Sequence, residues 1–342
     1  MAEPRENITT LPVESRSKFD QRGRARPMLS RDADAMYWMC RYVERAEHVA
    51  RLLMINASTL IDVGDLETDA LNKLWLSILR VFRIEHPPPS DLPLAEAISR
   101  YMTFEIANPN SIVSCLTRAR ENARSIRENI SAEMWEALNS SYLSVRADDA
   151  VARFDESRED FYRSVLASSM LFQGLTNQTL PHTQRWQFAQ VAKYFERIDV
   201  TSRILDTRWS LLASGELTIE PQLRNIHWMG VLRSCCSIET FRREYPGEMD
   251  PLRIAQFLIL RNDFPRSIRF CVEQASESLT SLRTMTSRAI DPAERIVGRL
   301  LAQLDYAELA EVLNVGISRY LQNIQHQISE AATAVQKAYF LY

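Results

Sequence analysis

Glycine is scarce in this chain. Only 8 glycines occur in 342 residues, well below the ~7% of ordinary proteins, so the tight turns of an all-β fold would be under-supplied. Long apolar runs are missing as well: no window approaches the ~18 unbroken apolar residues of a membrane span. Residues 1–27 have no apolar core like that of a secretory leader. The five cysteines are an odd number and lack any Cys-x-x-Cys spacing, which reads as a reducing cytoplasm rather than an oxidised framework. Neither sign of charge dominates, with 41 basic and 44 acidic residues and a net charge of −3, so no global field would recruit nucleic acid. There is no Gly-x-Ser-x-Gly elbow and no glycine-rich phosphate loop.

What is present favours helix. The hydrophobic fraction of 46% fills a core, and the 14 prolines gather at punctuation points such as Pro87-Pro88-Pro89, Pro93, Pro109, Pro181, Pro251, Pro265 and Pro292. Between them run long stretches nearly free of proline. The pattern predicts a lead helix from Ser30 to Gly64, with Met36, Met39, Val43, Ala46, Ala50 and Leu53 on one apolar stripe. Further helices are predicted over 68–84, 92–106 and 110–130, then a block over 132–174 broken near Asp148-Asp149. A second lead helix comes next at 183–213, another at 221–244, a short one at 251–261, and long helices from 265 onward. Residues 1–27 are polar, with an arginine cluster at Arg16, Arg22, Arg24 and Arg26, and read as a disordered tail or as an over-extended start that is never translated.

The chain also contains itself twice. Tyr42-Val43-Glu44-Arg45-Ala46-Glu47 returns as Tyr194-Phe195-Glu196-Arg197-Ile198-Asp199 at an offset of 152. Trp75, Leu79 and Arg80 return as Trp228, Leu232 and Arg233 at 153, and Ser111, Ile112, Cys115 and Ala119 return as Ser267, Ile268, Cys271 and Ala275 at 156. Three blocks in one order indicate an internal duplication. The expected fold is therefore all-α: two tandem helical bundles at 28–178 and 179–342, related by a pseudo-twofold axis or as a tandem repeat. Whether they share one core is left open.

The repeated Glu-Arg dipeptides are the main candidate site. Glu47 and Arg51 form an (i, i+4) pair with the acid N-terminal, the favoured orientation, and Asp199 and Arg203 repeat it. On a helical wheel Arg45 and Arg197 point to the far side of their helices. One reading is a set of buried-edge salt bridges that fix the register between the halves. The other is a polar site lined by Glu44, Arg45, Glu196 and Arg197 that binds an anionic or peptide-like ligand. A second candidate surface is the face shared by Arg120, Arg124 and Arg127, read either as a solvated ladder or as a contact for an anion or partner protein. Glu121 and Glu128 interrupt it and no aromatics interleave, which argues against nucleic acid.

A metal centre and a nucleophile both lack support. A carboxylate-bridged di-iron site needs Glu-x-x-His on two helices, but His48 stands four residues after Glu44, and Val200 occupies the matching place in the second half. No metal or cofactor is expected. Cys40, Cys115 and Cys271 lie in helical patterns and read as small buried hydrophobes, as do Cys235-Cys236.

The runs Met28-Leu29-Ser30-Arg31, Tyr37-Trp38, Arg41-Tyr42-Val43-Glu44-Arg45-Ala46-Glu47, Ala119-Arg120-Glu121-Asn122-Ala123-Arg124-Ser125, Glu133-Met134-Trp135-Glu136-Ala137-Leu138-Asn139, Tyr194-Phe195-Glu196-Arg197 and Asp263-Phe264-Pro265-Arg266-Ser267 resemble the bacterial alpha-E proteins. The match covers nearly everything from Met28 onward. The resemblance implies an all-helical companion of atypical ATP-grasp proteins, often near transglutaminase-like cysteine proteases, in a setting of peptide or amide-bond synthesis. The family has no agreed catalytic residues, so none carry over. The expected role is a non-catalytic accessory or substrate-presenting subunit of an ATP-grasp ligase system in the cytoplasm. The alternatives are an enzyme of the same pathway using Glu44 and Glu196 as a carboxylate pair, in which proximity would raise one pKa, and a structural oligomer.

Overall fold

A computed structural model describes residues 28–63, 68–213, 221–247 and 249–340. The expected tail at 1–27 and the helix stop at Gly64 lie outside those residues. All regular structure among the described residues is helical: α1 (Ser30–Val63), α2 (Thr68–Val81), α3 (Leu94–Phe104), α4 (Ile112–Ser125), α5 (Ala132–Arg146), α6 (Ala150–Glu156), α7 (Arg158–Thr179), α8 (Gln184–Ala213), α9 (Pro221–Ser234), α10 (Ile238–Glu244), α11 (Pro251–Leu260), α12 (Ile268–Thr286), α13 (Pro292–Asp305), α14 (Leu309–Val315) and α15 (Ile317–Val335). A single π-helical turn, Gln336–Phe340, extends α15.

Helix starts obey local chemistry. Ser111, Ser131, Ser157 and Ser267 each accept a hydrogen bond on the side-chain oxygen from a backbone N–H in the first turn. Asp250 and Asp291 do the same just ahead of a proline at the first helical position, where the missing N–H costs nothing. The turns that open at Ser111 and Ser267 are alike in a further respect. Cys115 and Cys271 are fully buried there, and their thiols lie 3.7 and 3.4 Å from the carbonyl oxygens of Pro109 and Pro265.

The lead helices α1 and α8 form the centre. α1 packs on α4, α7, α8 and α9, while α8 packs on α12, α15 and α2. Around them α4 packs on α5 and α5 on α7, and α12 packs on α13 and α13 on α15. The buried apolar side chains form one continuous cluster reaching from Ala33 to Phe340. Because α1 is enclosed on nearly all sides through its middle, Met36, Tyr37, Met39, Val43, Ala46, Val49, Ala50 and Leu53 are all essentially inaccessible. Each large side chain of this kind contributes ~1.5–3 kcal/mol on burial. Aromatic contacts pin the periphery: Phe104, Phe154, Phe161 and Tyr162 pack edge-on or tilted. Phe188 touches both Tyr339 and Phe340 at 5.3 and 5.7 Å, and Tyr37 touches Phe340 at 5.3 Å. The π-helical turn is thereby fastened to the starts of both central helices.

Two expected helices divide further than the pattern suggests. The block at 132–174 breaks twice, at 147–149 and again at Ser157, which ends α6 and caps α7. The run 221–244 divides at Cys235-Cys236 into α9 and α10. There Cys236 adopts a left-handed backbone, φ 54°, with Cys236 N–H donating to Arg233 O at 3.0 Å and Ser237 N–H to Leu232 O at 2.8 Å. This pair of bonds closes the helix end. Arg83, φ 58°, closes α2 identically, through Arg83 N–H to Arg80 O at 3.1 Å and Ile84 N–H to Leu79 O at 2.9 Å. Cys236 is exposed rather than packed in the core, whereas Cys235 is buried.

A non-glycine residue in this conformation costs about 1 kcal/mol. Cys236→Gly should therefore raise the urea midpoint by the equivalent of ~1 kcal/mol at unchanged slope, while Cys236→Ala, which keeps the Cβ, should not. Equal effects of the two variants would contradict the assigned backbone.

Candidate functional site

Where α1 meets α8, three carboxylates are buried within the core. Glu44, Glu47 and Glu196 are at most 1% exposed, a placement that is unfavourable by several kcal/mol per ion unless each finds a partner. The partners come from across the helix pair. Arg197 Nε donates to Glu44 Oε1 at 2.6 Å, and Arg45 donates to Glu196 through Nε at 2.6 Å and Nη2 at 3.0 Å. The two Glu-Arg dipeptides thus exchange arginines. The wheel projection that sends Arg45 and Arg197 to the far side is corrected here: the long side chains swing over to the opposing carboxylate, because a guanidinium left buried and unpaired would be far more costly.

More groups complete each carboxylate. Arg41 donates to Glu196 Oε2 at 2.7 Å and to the Tyr37 hydroxyl at 2.8 Å. Gln173, from α7, donates its amide to Glu44 and accepts from Arg197 Nη2 at 2.8 Å. Glu47 and Arg51 make the expected (i, i+4) pair. The loop before α12 brings in Arg266, whose Nη2 reaches both Glu47 oxygens at 2.7 and 2.8 Å. His48 Nδ1–H donates to the Glu44 carbonyl at 2.9 Å, leaving Nε2 to face Arg266 Nη1 at 3.5 Å. Asp199 and Arg203 form the second expected pair at 2.8 and 3.0 Å, with Arg83 standing 3.9 Å off.

These surroundings set the protonation states. Burial alone would raise the Glu196 carboxyl, but Arg45 and Arg41 outweigh it and hold it down to about 2. Burial likewise opposes ionisation of Glu47, and Arg266, His48 and Arg51 hold it well below the usual carboxylate range. Asp199 goes the other way: burial first, then the charge of Glu196, push it up to about 6. Burial pulls His48 down to about 4, so it is neutral at pH 7. The raised pKa expected of a Glu44–Glu196 acid–base pair is not found on Glu196, since arginines rather than a second carboxylate dominate its field.

Glu44, Glu47 and His48 bring ligand atoms within 4.8 Å of one another, yet Arg197, Arg51 and Arg266 already supply the positive charge that a metal ion would bring there. The four buried cysteines are inert: burial pushes Cys40, Cys115, Cys235 and Cys271 up to about 12. Of the second candidate surface, Arg120 sits over the rings of Trp135 and Tyr142 and donates to Asn139 Oδ1 at 2.8 Å. Arg124 is 70% exposed beside Glu121. Neither joins the central network.

On the Glu196 side the network opens into a cleft of roughly 300 Å³, lined by Arg41, Arg45, Arg83, Asn110, Glu196, Asp199 and Arg203, with Trp38 and α15 completing its walls. Sequence reasoning missed Arg41, Gln173 and Arg266. A basic residue does stand three positions before each repeated glutamate, as Arg41 and Lys193, and Arg266 lies inside the run Asp263-Phe264-Pro265-Arg266-Ser267. Gln173 carries no such signal.

The family model of Alpha-E, described as a predicted alpha-helical domain with a conserved ER motif, matches residues 28–340. The chain is similar to the uncharacterised proteins Mb2597 of Mycobacterium bovis and MT2643 of Mycobacterium tuberculosis, each 22% identical over 332 residues, and to Rv2567 of Mycobacterium tuberculosis at 21%. In each case the match covers 89% of this chain but only 36% of the relative's length. No solved structure matches. Among the described residues no helix is long and apolar enough to cross a membrane.

Because the folded Glu196 pKa lies below its ordinary 4.5, its pairing contributes stability above pH 4.5 that disappears as pH falls toward 2. Asp199, raised from 3.8 to about 6, contributes with opposite sign and loses stability as pH rises through that window. The thermal midpoint followed by circular dichroism should fall steeply below pH 4.5. A shallow decline between pH 4 and 6 should vanish in Asp199→Asn. A profile unchanged by that substitution would contradict the Asp199 assignment.

Proposed function

The chain belongs to the alpha-E family, and from that footing we propose that it is a non-catalytic accessory or substrate-presenting subunit of an ATP-grasp peptide- or amide-ligase system, built from two copies of one helical bundle at 28–178 and 179–342. The observation that carries the non-catalytic reading is the pairing of the central carboxylates. Glu44, Glu47 and Glu196 are each bonded to at least one guanidinium, so none is poised as a general base or acid. The cysteines packed against the network have thiols raised too far to act as nucleophiles at neutral pH.

The partner is inferred from the family context implied by the Glu-Arg motifs. The mycobacterial relatives carry most of their length outside the matched region, which leaves room in them for a companion domain. The duplication is supported by the offsets of 152 and 156 in the sequence and by the exchange of arginines between the two matched helices. Free cysteines accord with a cytoplasmic setting.

Affinity capture of the tagged chain from its native host tests this directly. Mass spectrometry of the eluate should find an ATP-grasp protein in near-stoichiometric amount, and the purified chain alone should release no phosphate from ATP with peptide or amino-acid substrates. Turnover by the isolated chain, or an eluate without such a partner, would overturn the proposal.

A further inference from the structure

The two sides of the α1–α8 interface are built alike but finished differently. On the Glu47 side, Arg266 is buried and closes on both carboxylate oxygens. At the 156 offset the residue matching Arg266 is Asn110, and at the 152 offset the residue matching Glu47 is Asp199. Asparagine is shorter and neutral. It donates from Nδ2 to the Phe82 carbonyl at 3.3 Å and leaves Asp199 without the plug that fills the other side. The space that remains is the cleft of roughly 300 Å³, at the small end of ligand pockets.

The charges facing this cleft do not balance. Four guanidinium groups line it, from Arg41 and Arg45 on α1, Arg83 after α2 and Arg203 on α8, against the carboxylates of Glu196 and Asp199. The α15 wall contributes only neutral groups, including Ser329, Thr333 and Gln336. Two positive charges are in excess, and their donors are under-used. Arg45 Nη1 has only a 3.5 Å contact to Asn110 Oδ1. Arg83, with a side chain 61% exposed, stands 3.9 Å from Asp199, beyond hydrogen-bond distance.

We propose that this cleft is a binding site for a small molecule bearing a carboxylate or phosphate group, held by Arg83 and Arg45 with Arg203 beside them. Planar forked guanidinium groups suit either oxyanion. The polar α15 wall and the Trp38 ring receive the remainder of the ligand. The assignment is independent of the accessory-subunit reading, because it concerns what the isolated chain binds.

The test is calorimetric titration of the full chain, in buffer free of competing anions, with inorganic phosphate and separately with succinate. At least one probe should saturate a single site, and which one does so distinguishes the two groups. Arg83→Ala should weaken it tenfold or more with no loss of thermal midpoint, and Arg83→Lys should restore it in part. Asn110→Arg, which supplies the plug found on the other side, should abolish binding while leaving the chain folded. Exposed Arg124→Ala should leave it at wild-type strength. If neither probe saturates below about 10 mM, a concentration equivalent to under 3 kcal/mol of binding, or if Arg83→Ala and Asn110→Arg bind as wild type does, the site is refuted.

Discussion

Two buried glutamates that exchange arginines across a helix pair are the constraint on which the rest of this structure depends. Glu44 receives Arg197 and Glu196 receives Arg45, so neither central helix can bury its own carboxylate without the other. Placing such ions in the core is costly, and an apolar pair of similar volume would often be as stable or more so. What the ions add is geometric: a shift of α1 against α8 by one residue would strand both carboxylates. The enclosing helices supply the remaining donors, Gln173 from α7 and Arg266 from the loop before α12, so the periphery is keyed to the same centre.

That centre is symmetric in its pairs and asymmetric at its edges. Glu47 is closed over by Arg266, whereas Asp199 and Asn110 line an open cleft. Their surroundings also set different ionisation: Arg266, His48 and Arg51 hold Glu47 low, whereas burial and the charge of Glu196 push Asp199 up to about 6. One end of the charged seam is thus plugged and the other is open, with Arg45 Nη1 facing the cleft while its Nε and Nη2 bond Glu196.

Much of this is legible in the sequence alone. Proline punctuation and the near absence of glycine place most helices within a few residues, and the (i, i+4) spacing correctly joins Glu47 to Arg51 and Asp199 to Arg203. Local rules of this kind work because the interacting atoms sit on one helix. They fail where the partner comes from elsewhere. The wheel turns Arg45 and Arg197 outward because it treats a helix as though solvent surrounded it, whereas here each long side chain reaches a buried carboxylate on the opposing helix. The break at Cys236 is hidden because neither cysteine marks a left-handed cap. Arg266 and Asn110 are within reach of the repeat offset, but their difference gains meaning only once Glu47 and Asp199 are seen beside them.

The most direct measurement is a pair of double-mutant cycles by urea denaturation, Glu44→Gln with Arg197→Met and Glu196→Gln with Arg45→Met. Each arginine removal should cost ~3–5 kcal/mol, since it leaves a buried carboxylate with one fewer partner. The double substitutions should cost clearly less than the summed singles, with coupling of at least ~1.5 kcal/mol in both cycles. Additive behaviour, with coupling below ~1 kcal/mol in either cycle, would mean that the exchanged pairs do not hold the two central helices together.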